Sequence, residues 1–116
     1  MDRIRCTFGK ESRLRKRRQF LEVYERGDKV PAKFFFLYFL RNDLPFDRLG
    51  VTASRRIGKP VVRNRIKRRL REIFRQHRGL AVAPCDIVVN VKRSAAETDF
   101  SILEADFLQT VERWRG

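Results

Sequence analysis

The chain has 116 residues and 42% hydrophobic content, which fits one folded domain and argues against a disordered chain. Its 28 Lys and Arg residues against 14 Asp and Glu residues give a net charge of +14 at pH 7, and this excess predicts a polyanionic partner. The longest apolar run, Phe34 to Leu40, is too short to span a membrane, and the N-terminus lacks a secretory signal. We therefore expect one cytoplasmic domain over residues 1–116, with residues 1–11 as a flexible N-terminal extension.

The positive charge is concentrated in two segments. Residues 1–26 contain nine basic and four acidic residues, and residues 55–78 contain eleven basic residues and one acidic residue, Glu72. The other residues are close to electrically balanced. The two basic segments are therefore the candidates for contact with a polyanion, and the rest of the chain is predicted to be scaffold.

The N-terminal half predicts a helix followed by two strands. Ser12 is a candidate N-cap and Gly27 a candidate stop for the first helix. A turn is predicted at residues 28–31, followed by an aromatic strand at 34–40 and a second, alternating strand at 48–54. We expect these two strands to pair as a hairpin.

Residues 61–78 predict a strongly amphipathic helix that follows Pro60 and ends before Gly79. Its apolar stripe is formed by Val62, Ile66, Leu70, Ile73 and His77, at three- and four-residue spacing. The opposite face is almost wholly cationic and comprises Asn64, Lys67, Arg68, Arg71, Arg75 and Arg78. His77 is predicted to be a packed residue and not a general base, because it lies on the apolar stripe.

The C-terminal part predicts a strand at residues 86–92 and a helix at 98–114. The predicted order is α-β-β-(β)-α-β-α. We therefore expect an α+β fold, a single-domain α/β sandwich with one mixed central sheet of about four strands and about three helices.

Sequence features of catalytic and metal sites are weak or absent. Cys6 and Cys85 are isolated and are predicted to be free thiols, and the chain has a single histidine. Gly58-Lys59 is followed by Pro60 and not by Ser or Thr, so it does not form a Walker A loop. The acidic residues are scattered and show no close pair suited to two metals. We predict no catalytic residue and no metal site in the protein itself.

The basic helix favours a nucleic acid over two alternatives. A solvated charged face usually mixes signs, and a membrane-surface helix would leave its apolar stripe free, whereas this stripe is predicted to join a core. Arginine, which predominates here, suits phosphates because its guanidinium donates parallel hydrogen bonds. The aromatic strand favours single-stranded RNA, whose bases stack on rings, although for each single ring core packing is the favoured interpretation. Tyr38 is the best candidate for a stacking ring, with Phe20 and Tyr24 on the first helix as the opposite wall of a groove.

The central segment resembles one known family closely. Arg48-Leu49-Gly50-Val51, followed by Arg55-Arg56-Ile57-Gly58-Lys59-Pro60 and Val61-Val62-Arg63-Asn64-Arg65-Ile66-Lys67-Arg68, is similar to the signature of the bacterial ribonuclease P protein component. The resemblance extends from about Leu14 to the last helix. Two positions depart from the family pattern: Arg55-Arg56 stands where Lys-Lys is common, and Pro60 where a small residue is usual.

The resemblance implies a small basic protein that assists a catalytic RNA in removing the 5′ leader from precursor tRNA. It implies ribonuclease P RNA and precursor tRNA as partners, no membrane or small-molecule substrate, and magnesium held mainly by the RNA. The implied contacts with the RNA subunit are Arg55, Arg56, Lys59, Arg63, Asn64, Arg65, Lys67, Arg68, Arg69 and Arg71. The implied leader contacts are Arg17, Arg18, Phe20, Tyr24, Phe36 and Tyr38. The resemblance also implies a left-handed crossover between parallel strands, against the usual rule.

Two other functions remain open from the sequence. One is a general RNA-binding or ribosome-associated module without a processing role. The other is a nuclease that acts without RNA, which would have to cleave as the isolated chain.

Overall fold

Three helices and a four-stranded mixed sheet make up the described part of the chain, as the sequence predicts. The computed structural model describes residues 12–77, 79 and 83–114. Its elements are α1 (Arg17–Arg26), β1 (Asp28–Pro31), β2 (Phe35–Arg41), β3 (Arg48–Thr52), α2 (Pro60–Gln76), β4 (Cys85–Val91) and α3 (Phe100–Trp114), with 3₁₀ turns at Arg55–Ile57 and Arg93–Glu97. The predicted extension at 1–11, with Cys6, and the predicted cationic residue Arg78 lie outside the described residues.

The sheet order is β1-β2-β4-β3, so the last strand in the chain lies between two earlier ones. β4 is antiparallel to β2 and parallel to β3. The predicted hairpin of β2 with β3 is therefore wrong. The first five residues of β4 are all buried, and an interior position covers such a strand on both faces. α2 makes the connection from β3 to β4, and its left-handed sense stays a prediction from the family resemblance.

The predicted turn at residues 28–31 is a strand instead. β1 pairs antiparallel with β2, from Asp28 opposite Phe39 to Pro31 opposite Phe36. β1 is an edge strand, where charged residues and a proline are tolerated because one row of backbone groups has no neighbour. The residue types of this segment are typical of a turn, whereas pairing with β2 makes it a strand.

The first helix begins at Arg17 and not at the predicted cap Ser12. Ser12 is buried, and the segment that follows it runs beside β3, where the Leu14 backbone N–H donates to the Leu49 carbonyl at 2.9 Å. The Gln19 side-chain oxygen accepts from the two backbone N–H groups that precede the helix, at 2.8 and 2.9 Å. Contact with β3 thus delays the helix by one turn, and Gln19 caps it.

The sheet separates a large core from a small one. α2 and α3 cover one face, where Phe35, Leu37 and Phe39 of β2 are buried. Phe34, which precedes β2, also belongs to this large core. α1 covers the second face, where the small core is formed by Leu14, Val23 and Val88 with the half-buried Phe20, Tyr24, Tyr38 and Leu40.

Gly50 sets how closely α1 approaches the sheet. A Cβ atom at Gly50 would lie 2.6 Å from Cζ of Phe20 and 3.0 Å from Cβ of Leu14. The Phe20 ring therefore occupies the space that any other residue at position 50 would fill. This contact seats α1 on β3.

We predict that Gly50→Ala lowers the free energy of unfolding by about 1–3 kcal/mol, because the new methyl group overlaps the Phe20 ring. In the Phe20→Leu background the same change should cost less, because the shorter side chain leaves room. Urea unfolding of the four proteins of this cycle, at one phosphate concentration, measures the coupling. Additive effects of the two substitutions would show that the Phe20 ring does not occupy the space that a Cβ atom at Gly50 would need.

Candidate nucleic-acid interface

α2 presents a cationic surface opposite the large core. The helix begins at Pro60, one residue earlier than predicted, in the first position, where the missing N–H removes no hydrogen bond. It buries Ile66, Leu70, Ile73 and Phe74, and Val62 is half-buried. The ten residues for which the resemblance implies contact with the RNA subunit are called the α2 surface below. Its exposed members are Arg55, Arg56, Lys59, Asn64, Arg65 and Arg68, and its half-buried members are Arg63, Lys67, Arg69 and Arg71.

The cations of the α2 surface have no acidic partner among the described residues. The salt bridges that Lys and Arg side chains form among the described residues involve no member of this surface. Glu72, the one acid in this part of the chain, is held instead by Arg75, whose Nε lies 3.0 Å from its Oε1. This hydrogen bond lowers the pKa of Glu72. The positive charge of the surface thus remains available to an external anion.

Three arginines of the α2 surface are partly constrained by their surroundings. Burial, and the nearby charge of Arg13, lower the pKa of Arg71. Arg69 donates from Nη1 to the Thr98 carbonyl at 3.3 Å. The buried Nε of Arg63 has no acceptor within the described part of the chain. An incoming phosphate would relieve the repulsion at Arg71, and it would give Arg63 an acceptor after a rotamer change.

A group of half-buried aromatic and polar side chains lies on the opposite face of the sheet, beside α1. We call the cleft the surface formed by Tyr24, Phe36, Tyr38, Thr52 and Asn90, all half-buried. Asn90 of β4 is paired with Phe36 on one side and with Thr52 on the other, which places their side chains on one face. The rings of Tyr24 and Tyr38 meet edge to face, with centroids 4.9 Å apart and planes at 75°. The structure thus brings together three of the predicted leader contacts.

The other predicted leader contacts, Arg17, Arg18 and Phe20, belong to α1 and are not part of the cleft. Phe20 packs on Gly50 and anchors α1. Arg17 and Arg18 are exposed in the first turn of α1, and no described residue forms an ion pair or hydrogen bond with their side chains. Their guanidinium groups are therefore free to meet phosphates.

Two lysines that the sequence reasoning missed extend the cleft. The ammonium groups of Lys29 and Lys92 each lie 4.4 Å from the centroid of the Phe36 ring. Lys92 also donates to the Ala32 carbonyl at 2.7 Å, which fixes its position. Phe36 therefore holds two cations by cation–π attraction, in addition to offering an aromatic surface. The two lysines stand far apart in the sequence, and only the pairing of β1, β2 and β4 brings them together.

Comparison with known proteins identifies the family. A family model described as Ribonuclease P matches residues 8–115. The ribonuclease P protein component of Thermotoga sp. (strain RQ2) is 34% identical over 95% of this chain and 97% of its own length. That of Desulfatibacillum aliphaticivorans is 41% identical over 85% of this chain and 84% of its own length. The chain belongs to the ribonuclease P protein family.

Solved structures of the ribonuclease P protein share the fold. The Staphylococcus aureus protein matches with a TM-score of 0.81 at 27% identity, covering 88% of this chain and 94% of that chain. The Thermotoga maritima protein matches with a TM-score of 0.80 at 33% identity, covering 87% and 96%. Family membership confirms the resemblance seen in the sequence, and with it the role of a ribonuclease P subunit, part of an endoribonuclease in tRNA processing. No comparison supports the general RNA-binding alternative.

The other reactive groups of this ribonuclease P protein serve the fold. Burial, together with the nearby carboxylate of Asp47, raises the pKa of the Cys85 thiol to about 12, so it stays protonated at neutral pH. His77 ends α2 half-buried, with Nε2 2.7 Å from Oε2 of Glu104 on α3. In the described ranges, no three His, Cys, Asp or Glu side chains cluster as a metal site would require, and no helix is long and apolar enough to cross a membrane.

Proposed function

We propose that this protein binds the RNA subunit of ribonuclease P through the α2 surface and the 5′ leader of precursor tRNA in the cleft. The observation that carries the proposal is the division of the molecule into two RNA-compatible surfaces on opposite faces of one sheet. The α2 surface is cationic and lacks aromatic rings. The cleft combines rings, hydrogen-bonding side chains and flanking cations.

The α2 surface suits a folded RNA. Its guanidinium groups lie along a rigid helix of 17 residues, roughly 26 Å long. Charges fixed at that spacing contact several phosphates without the entropic cost of ordering a flexible segment. Binding to the RNA subunit would also neutralise the repulsion within the protein's excess of positive charge.

The cleft suits a single strand. Unpaired bases are free to stack on Tyr38 and Tyr24, while phosphates meet the ammonium groups of Lys29 and Lys92. Double-stranded RNA lacks exposed base faces and would gain little from these rings. A 5′ leader is a single-stranded segment that precursor tRNA has and mature tRNA lacks, so its presence should raise affinity through this surface.

We place the catalytic magnesium ions on the RNA subunit. The buried carboxylates Asp47 and Asp86 are occupied by backbone amides and by Arg48 and Asn42, and so do not fit a magnesium site. The protein would act by holding the leader and by organising the RNA around its ions. Such a partnership places the protein in the cytoplasm, where precursor tRNA is processed.

Reconstitution tests the proposed function. Cleavage of a precursor tRNA at low, near-physiological magnesium is measured with a bacterial ribonuclease P RNA, with this protein, and with both. We expect stimulation only in the combined reaction, because the RNA is the catalyst and the protein supplies binding. Cleavage by the protein alone, after rigorous removal of RNA, would instead establish a nuclease that acts without RNA. Protein that binds the RNA without changing cleavage would exclude the processing role.

Tyr38→Ala tests the cleft. We expect about a five-fold or greater loss of holoenzyme affinity for leader-bearing precursor, because one stacking surface is removed, and no change for mature tRNA. Phe46→Ala, which removes a half-buried ring outside the cleft, is the matched control. Equal losses for precursor and mature tRNA would contradict leader binding at Tyr38.

The double variant Arg65→Ala, Arg68→Ala tests the α2 surface. We expect weaker assembly with the RNA subunit, and a slope of log affinity against log salt that is shallower by about 0.7–0.9 for each phosphate that the variant no longer neutralises. Arg26→Ala combined with Lys33→Ala removes the same charge from exposed positions elsewhere and should change assembly less. Equal effects of the two double variants would mean that only total charge matters.

A further inference from the structure

A pocket of about 310 Å³ opens at the start of α1. Its lining combines polar side chains from the entry to the helix with apolar side chains from the loop between β2 and β3. We call it the α1-entry pocket, and its main lining residues are Arg13, Arg15, Lys16, Gln19, Leu44 and Phe46. Most of its surface is apolar, since the stems of long basic side chains add to the two apolar residues. The pocket therefore offers an apolar floor with positive charge beside it.

Hydrogen bonds hold the β2–β3 loop on both sides of its apolar pair. Asn42 donates from Nδ2 to Oδ1 of Asp86 at 2.8 Å, and its Oδ1 accepts from the Leu44 backbone N–H at 2.9 Å. Farther along the loop, Oδ1 of Asp47 accepts from the Cys85 backbone N–H at 2.9 Å. Both partners across the loop belong to β4. A loop anchored in this way presents half-buried apolar side chains to a ligand at little entropic cost.

The cations at the entry to α1 remain available to a ligand. Arg15 and Lys16 are exposed, and no described residue forms an ion pair or a side-chain hydrogen bond with either side chain. Arg13 adds a further exposed positive charge. Arg48, which also lines the pocket, differs because Asp86 accepts from its Nε and Nη2 at 2.8 and 2.7 Å. None of the described acidic residues lines the pocket, so its electrostatic field attracts an anion.

The side chains that line the pocket offer hydrogen-bond donors and no free acceptor. The one side-chain acceptor is Oε1 of Gln19, which already accepts from the backbone N–H groups of Arg15 and Lys16 at 2.8 and 2.9 Å. A carboxylate carries only acceptors and so matches this lining. Every nucleobase carries amino or imino donors at its edge, and those would be left unpaired in the pocket. The lining thus fits an apolar group flanked by carboxylates better than it fits a base.

We propose that the α1-entry pocket docks an acidic segment of a partner protein. An apolar side chain of that segment packs against Leu44 and Phe46, while neighbouring carboxylates meet Arg15 and Lys16. An extended peptide directs alternate side chains to opposite sides, so alternating acidic and apolar residues suit a pocket whose cations and apolar groups come from two different segments. This interaction is independent of the proposed function, because it uses no residue assigned to the α2 surface, to the cleft or to leader contact.

A designed peptide tests the proposal. Fluorescence anisotropy measures binding of a labelled hexapeptide, Glu-Leu-Asp-Phe-Glu-Asp, to the full-length protein at physiological ionic strength. A second peptide has Ser in place of Leu and Phe and therefore carries the same charge. We expect the second peptide to bind about ten-fold or more weakly, because it has no apolar group to bury on the pocket floor. Equal binding of the two peptides would show attraction by total charge alone and would overturn the proposal.

Protein variants locate the site. Phe46→Ala should weaken binding of the first peptide by about ten-fold, because it removes part of the floor. Arg15→Ala combined with Lys16→Ala should weaken it by about five-fold or more through loss of the ion pairs. Arg26→Ala combined with Lys33→Ala removes the same charge from exposed positions elsewhere and should have a smaller effect. Equal effects of the two double variants would contradict docking at the pocket.

Assembly with the RNA subunit distinguishes a protein ligand from RNA. We expect Phe46→Ala to assemble as the unaltered protein does, because a peptide and not RNA occupies the pocket. A loss of assembly as large as the loss of peptide affinity would place RNA there and overturn the proposal. Urea unfolding checks that Phe46→Ala is folded. If it is not, the double variant Arg15→Ala, Lys16→Ala decides, since it alters only exposed side chains. Failure of this proposal leaves the proposed function standing, because that function is tested by cleavage of precursor tRNA.

Discussion

The insertion of β4 between β2 and β3 is the constraint on which both surfaces depend. Parallel neighbours such as β3 and β4 cannot be joined by a tight turn, so a long crossover is required, and α2 provides it. The basic helix is thus tied to the sheet at both ends. The same insertion places Asn90 between Phe36 and Thr52, which creates the floor of the cleft. One topological feature therefore positions the cationic helix on one face and the cleft on the other.

The close seating of α1 completes the cleft from the other side. Because Gly50 has no side chain, the Phe20 ring lies directly on β3. The next helical turn then brings the Tyr24 hydroxyl to Asn90 and the Tyr24 ring to the edge of Tyr38. A shift of α1 would break the hydrogen bond and the ring contact together. Packing of the small core is consequently coupled to the orientation of the Asn90 side chain.

The parts of the fold that depend on local pattern were predictable, and those that depend on strand partners were not. The stripe of Ile66, Leu70 and Ile73 predicted the basic helix to within two residues at its C-terminal end and one at its start. Nothing local distinguishes a hairpin of β2 with β3 from the observed order, because burial of β4 on both faces decides it. The contacts of Asn90 span 38 and 66 residues of sequence, so only the folded sheet reveals them. A polar residue that interrupts the apolar run from Ile87 to Val91 was the one available signal.

The side-chain groups that remain exposed are those that the fold does not use for internal contacts. Asp86 is buried and accepts from Arg48 at 2.7 and 2.8 Å and from Asn42 at 2.8 Å, since an unpaired buried carboxylate would destabilise the sheet. Cys85 is equally committed to the interior, with its thiol held protonated. The buried acids and the buried thiol are thus part of the scaffold, whereas most guanidinium groups of the described residues are exposed. This distribution suits a protein that holds RNA, because guanidinium groups keep their charge and bind phosphates with parallel hydrogen bonds.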